Sequence, residues 1–188
     1  MRTAIFGGTF DPIHTAHTRV AAEAADRFEL DRVLFVPSAH PPHKLNGQTT
    51  SFAHRYRMVE LACAGDRRFV PSRIEERTEV SYSIDTIMRV KAEQGPGDSL
   101  FFLIGADAFA EIGSWRRSGE VIRAVDFIVA SRPGYTCPTP GGARVHFLET
   151  LALGISSSEI RRRLESGGDV PELHPEVFRY IRQQGLYR

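Results

Sequence analysis

His14 and His17 stand three residues apart at the end of AIFGGTFDPIHTAH, and Ser156, Ser157, Ser158 and Arg161 stand far along the chain in ISSSEIRRRL. Imidazoles, hydroxyls and a guanidinium are donors that hold phosphate oxygens. Each group lies where a helix should begin, and a helix start adds free backbone N–H groups and the positive end of its dipole. Two such starts, one of them with an arginine a turn in, suit a triphosphate. Plainer readings stay open. A histidine pair at this spacing serves as readily in a core or on a surface, serines are ordinary N-caps, and Arg161 to Arg163 suit a solvated face. Zinc is disfavoured, because no glutamate separates the histidines and no third ligand is near. The dinucleotide fingerprint GxGxxG fails at its spacing, and no P-loop lysine motif is present. Lys44, in a proline-rich loop, offers one more positive charge.

The elements that must carry these residues follow from pattern. Residues 4–6 are a short apolar run, the end of a buried strand, and Gly7-Gly8 predicts a turn. His17, Val20, Ala21, Ala24 and Phe28 then recur at three and four, the period of a half-buried helix. Residues 32–36 predict a second buried strand, followed by an irregular loop over 38–50 at its carboxyl end, where open α/β sheets bind ligands. A helix is expected over 52–64 and a strand over 69–74. Ser83 is expected to cap a helix running towards Glu93. Strands are expected at 100–104, 127–130 and 145–148, an irregular stretch around Trp115, and a short helix over 121–125. Helices are expected from the serine run and over 175–184, the latter closed by Gly185. Strands alternating with helices argue for an α/β protein with a Rossmann-like parallel sheet covered on both faces.

Length and charge narrow the function. At 188 residues the expectation is a single domain over 1–188, with helices from about 156 to 188 packed on it. The 24 Lys and Arg nearly balance the 23 Asp and Glu, so bulk attraction to nucleic acid is not indicated, and no basic–aromatic stripe appears. The opening apolar run is too short for a secretory signal or a membrane span. Cys63 and Cys137 have no metal spacing, and reduced thiols in a cytoplasmic protein are the expectation.

Taken in order, GGTFDPIHTAH and ISSSEIR resemble the nucleotidyltransferase superfamily marked by HxGH and ISSTxIR motifs. PPHK at 41–44, SYSIDT at 81–86, GADAF at 105–109, SRPGY at 131–135 and the closing QQGLYR narrow the resemblance to bacterial nicotinate-nucleotide adenylyltransferases over the whole chain. Two positions depart from the motifs: Ala16 replaces a glycine and Ser158 a threonine. The resemblance implies transfer of an adenylyl group from ATP to nicotinic acid mononucleotide, giving deamido-NAD and pyrophosphate, with Mg2+ riding on the phosphates and no protein metal cage. It implies His14, His17 and Arg161 as the catalytic donors. Gly7, Gly8, Thr9, Phe10, Gly105, Asp107, Ser156 and Ser157 are implied around ATP, with Asp107 at the ribose or the metal unless it only caps a helix. Trp115 is implied under the pyridinium ring, although a lone tryptophan is more often core. Tyr82 and Ser83 are implied at the nicotinate carboxylate, and Lys44 and Arg132 near phosphates. No nucleic acid or membrane partner is implied, and self-association is left open. The alternatives are a phosphopantetheine or nicotinamide mononucleotide adenylyltransferase, or a nucleotide-binding regulator without turnover.

Overall fold

The computed structural model describes residues 1–40, 49–135, 137–151 and 154–188. In chain order it runs β1 (Arg2–Gly8), α1 (Thr15–Arg27), β2 (Arg32–Pro37), α2 (Phe52–Cys63), β3 (Phe69–Pro71), α3 (Ser83–Ala92), β4 (Ser99–Gly105) and α4 (Ala106–Ala110). A 3-10 turn (Ile112–Ser114) leads to α5 (Ser118–Ala124), β5 (Asp126–Ser131), β6 (Arg144–Glu149), α6 (Ser157–Glu165) and α7 (Pro175–Gln184). The strands pair in the order β3-β2-β1-β4-β5-β6, every pair parallel.

Period-2 side-chain alternation sorts each strand between two cores. Ala4, Phe35, Phe101, Leu103 and Ile128 face α1, α2, α6 and α7, where Val20, Ala24, Met58, Val59, Ile160 and Ile181 meet them. Ile5, Val36, Phe102, Ile104 and Val129 face α3, α4 and α5, against Ile84, Ile87, Phe109 and Val121. Each such fully buried large side chain contributes about 1.5–3 kcal/mol relative to exposure. Parallel strands covered on both faces read as the near-continuous apolar runs seen at 32–36 and 100–104.

Several local expectations change. Gly7 and Gly8 are the last residues of β1 rather than a turn. A Cβ on Gly8 would lie 3.0 Å from the Phe10 ring, so glycine is needed there for close approach. The left-handed backbone falls on Phe10, at φ 50°, a conformation that costs a non-glycine residue about 1–2 kcal/mol. Its ring is 2% exposed, and that burial offsets the cost. β3 is only three residues long, leaving the sheet after Pro71. Ser83 is the first residue of α3, and Tyr82 holds the cap position. The stretch before Trp115 is not irregular but α4 and the 3-10 turn, held by Phe109 and Ile112, each 0% exposed. Among the described residues, no helix is long and apolar enough to cross a membrane, and both cysteines are free thiols.

Candidate active site

The carboxyl ends of β1 and β4 adjoin where the strand order reverses, the crevice that open α/β sheets use for ligands. A cavity of about 640 Å³ opens there. Its walls include Gly7 and Gly8 at the end of β1, Thr9 just after it, Ser38 after β2, Tyr82 and Ser83 at the start of α3, and Trp115 and Arg116 beyond β4. Trp115 is half-buried and meets the Phe102 ring edge-on at 5.9 Å. It is thus both a core contact and part of the cavity wall. The Arg116 guanidinium lies 4.6 Å from the centre of the Tyr82 ring and brings a positive charge that sequence reasoning missed.

The two histidines sit at the start of α1, with His14 as N-cap. Their ring centroids lie 3.8 Å apart with the planes tilted by 31°, and the Phe10 ring meets His17 edge-on at 5.1 Å. The His14 backbone N–H donates to Nδ1 of His17 at 3.2 Å. That bond makes Nδ1 an acceptor and leaves Nε2–H as the donor of a neutral His17 ring. Burial pushes His17 well below the usual histidine value, and the neighbouring His14 adds to the effect. His14 is the more enclosed of the pair, 4% exposed, with Nδ1 sealed and unpartnered. Burial takes its pKa down to about 4 against an opposing pull from Glu172, and His174 lowers it further. The expected pair of open donors is therefore one half-exposed ring against one buried ring. Ala16, where the motif has glycine, is 6% exposed and packs into the core beside Phe10 and Ile13, which accommodates its methyl group.

The serine helix comes to the same place. Ser156 caps α6, its hydroxyl accepting from the Glu159 N–H at 3.2 Å. Ser157 Oγ donates to the Pro12 carbonyl at 3.0 Å, and Arg161 Nη1 donates to the Asp11 carbonyl at 2.7 Å. Arg161 Nη2 also reaches Ser158 Oγ at 3.3 Å. These groups, expected as free phosphate donors, tie α6 to the turn that carries the histidines. A guanidinium has five N–H donors, so the tether does not exhaust Arg161.

Behind the turn lies a polar cluster that the sequence did not disclose. The Asp11 carboxylate, 4% exposed, accepts from Tyr187 Oη at 2.6 Å and from the Thr50 N–H at 3.3 Å. Arg55, 1% exposed, donates to the carbonyls of Thr50 and Thr9, each at 2.8 Å, and of Ala39 at 3.4 Å. Burial lowers its pKa, and the charges of Asp11 and Glu75 offset part of that. Burial also raises the Tyr187 hydroxyl, with the Asp11 charge adding to it, so it stays a donor. GGTFDP and QQGLYR each contain a member, but nothing in linear sequence pairs residue 11 with residue 187.

Of the remaining expectations, Gly105 caps α4, and Asp107 lies exposed in its first turn without a side-chain cap bond. Arg132 is exposed just past the carboxyl end of β5. Lys44 lies outside the described residues. Among the described residues, no group of three His, Cys, Asp or Glu could hold a metal ion.

A model of the cytidylyltransferase-like family matches residues 5–163. A protein of Solibacter usitatus named probable nicotinate-nucleotide adenylyltransferase is 56% identical over 187 residues, covering 100% of both chains. Another so named, from Pelobacter propionicus, is 43% identical over 213 residues, covering 100% of this chain and 98% of its own. Among solved structures, Plasmodium falciparum nicotinic acid mononucleotide adenylyltransferase complexed with NaAD superposes with a TM-score of 0.82 at 22% identity. That match covers 99% of this chain and 97% of the other, and it shares the fold.

Proposed function

The chain belongs to the nicotinate-nucleotide adenylyltransferases of the cytidylyltransferase-like family, and from that premise we propose how its residues work. It transfers the adenylyl group of ATP to nicotinic acid mononucleotide, in NAD biosynthesis. An oxygen of the mononucleotide phosphate bonds to the α-phosphorus, and the bond from that phosphorus to the bridging oxygen breaks. The electron pair leaves with pyrophosphate. The attacking group is already an anion, so positioning and charge stabilisation supply the catalysis.

The observation that carries this reading is the hydrogen bond from the His14 backbone N–H to His17 Nδ1, which leaves Nε2–H as the donor of the neutral ring, on a turn that follows β1 and to which α6 is tied. We assign it to the bridging region, where negative charge grows. His14, the N–H groups opening α1 and α6, Ser156, Ser157 and Arg161 are assigned to the triphosphate, with Gly7, Gly8, Thr9 and Phe10 beneath it. Gly105 and Asp107 are assigned to the adenosine, and Lys44 and Arg132 to phosphate charge. Mg2+ would ride on the phosphate oxygens, where it would supply further neutralisation of pyrophosphate. Residues 1–188 act as one nucleotidyltransferase domain, and two free thiols suit the cytoplasm.

The cavity is the mononucleotide half. Trp115 offers its face to the pyridinium, while Arg116 and the first N–H groups of α3 offer charge and donors to the carboxylate. The test is pyrophosphate release with ATP and Mg2+, comparing the acid and amide mononucleotides. The acid should be favoured in kcat/KM by about 100-fold or more, because an amide leaves those groups poorly matched. Equal efficiency would overturn the assignment of this half.

A further inference from the structure

Among the described residues, four buried side-chain polar atoms lack a partner, and three of them are His14 Nδ1, Glu172 Oε2 and Arg163 Nε. Arg163 and Glu172 are paired, and the charge of Glu172 acts on His14. The Glu172 carbonyl accepts the Thr15 N–H at 2.9 Å, so the chain at residue 172 lies over the first turn of α1, beside His14. Arg163 of α6 anchors one Glu172 oxygen at 2.7 Å and holds the carboxyl below its usual range. The other oxygen is sealed without a partner, as is Nδ1 of His14.

We infer that Glu172 is a positioning residue for His14: it keeps a proton on Nδ1 and serves as counter-charge, so that the ring meets bound ATP as a cation through Nε2. The inference rests on reading this cleft as the ATP site. The two rings are not equally committed. His17 Nδ1 already accepts the His14 backbone N–H, and a proton there would cost that bond. His14 Nδ1 has no such commitment and lies within the field of a carboxylate. The other groups facing His14 oppose its charge or are spent on Glu172. His17 lies against it from α1, His174 stands over α1 with its Nε2 2.9 Å from Thr18 Oγ1, and Arg163 pairs with Glu172. With burial against it, the free ring is neutral near pH 7. The triphosphate reverses the balance, and His14 takes one proton from solvent as ATP binds.

Titration calorimetry of a non-hydrolysable ATP analogue at about pH 7, in two buffers of different ionisation enthalpy, reads that proton directly. Wild type should take up roughly half a proton more than His14→Gln. Glu172→Gln should fall to the His14→Gln level and bind the analogue about 2-fold more weakly at that pH, which is what half a proton taken up by a ring neutral when free is worth. Equal uptake in wild type and His14→Gln, or wild-type uptake in Glu172→Gln, overturns the role. Should Glu172→Gln not fold, Glu172→Asp decides: reduced uptake supports the dyad and unchanged uptake overturns it. Failure of wild type to bind the analogue at all would instead overturn the ATP assignment.

Discussion

His17 and His14 differ in what holds them, and their predictions differ accordingly. Nε2–H of His17 is the single donor of a ring whose other nitrogen is engaged, so His17→Ala should lower kcat by about 100- to 1,000-fold. The KM for ATP should move far less, because the donor matters most as charge develops; steady-state kinetics at saturating mononucleotide checks this, and near-normal turnover would refute it. His14 carries a stability consequence instead. Its folded pKa of about 4 lies below the 6.5 of an unfolded histidine, so the unfolded chain binds a proton that the folded chain refuses. Stability is therefore full above about pH 6.5 and is lost as pH falls towards 4, by about 3 kcal/mol from this one group. Urea midpoints measured from about pH 7 to 4.5 should show this slope, and His14→Asn should flatten it. At this scale the imidazole pair was legible because two donors stood at an expected helix start. Which ring nitrogen is occupied was not, since that depends on a backbone N–H folded back onto a side chain.

α6 shows an element doing two jobs at one end. Its cap, Ser156, obeys a local rule and was legible, as were the limits of α7, set by Pro175 and Gly185. Its docking was not, because Ser157 and Arg161 reach carbonyls some 145 and 150 positions away. Arg161→Lys keeps the charge but gives up the planar fork that reaches the Asp11 carbonyl while leaving donors for a phosphate. It should lower kcat/KM for ATP by about 10- to 100-fold, by the loss of charge-assisted hydrogen bonds. The KM for the mononucleotide, assigned to the other half of the cleft, should hold. An equal rise in both KM values would show that α6 merely braces the fold. Ser156→Ala removes the cap together with a hydroxyl assigned to the triphosphate, and should cost about 1 kcal/mol of stability, read as a shift in Tm. α4 escaped notice for the converse reason. Its five residues carry too little pattern to announce a helix, and Phe109 becomes informative only once β4 and β5 give it a core to fill.

Across the whole molecule, the closing residues of the chain secure its opening turn. Tyr187 donates to Asp11 over a separation of 176 residues, while Arg55 gathers one carbonyl from that turn, Thr9, and two, Ala39 and Thr50, from the stretch between β2 and α2. A hydrogen bond to a buried carboxylate is worth about 1.5–3 kcal/mol, so Tyr187→Phe should lower Tm by several degrees. It should also depress kcat, because the Asp11 and Pro12 carbonyls position α6. A Tm loss with kcat intact would separate the brace from the catalyst. By itself the sequence determined the parallel α/β plan, the helices that begin at the histidines and the serines, and the imidazole, hydroxyl and guanidinium groups at those starts. Those features are written in periodicity, capping and motif, all of which act over a few residues. Only the tertiary structure decided that the two helix starts share one turn, that His14 is sealed beside Glu172, and that the buried clamp of Asp11, Arg55 and Tyr187 lies beneath them. Such partners are chosen by the desolvation of polar groups brought together from distant parts of the chain, and a buried carboxylate or guanidinium takes whatever donors or acceptors the folded sheet delivers to it.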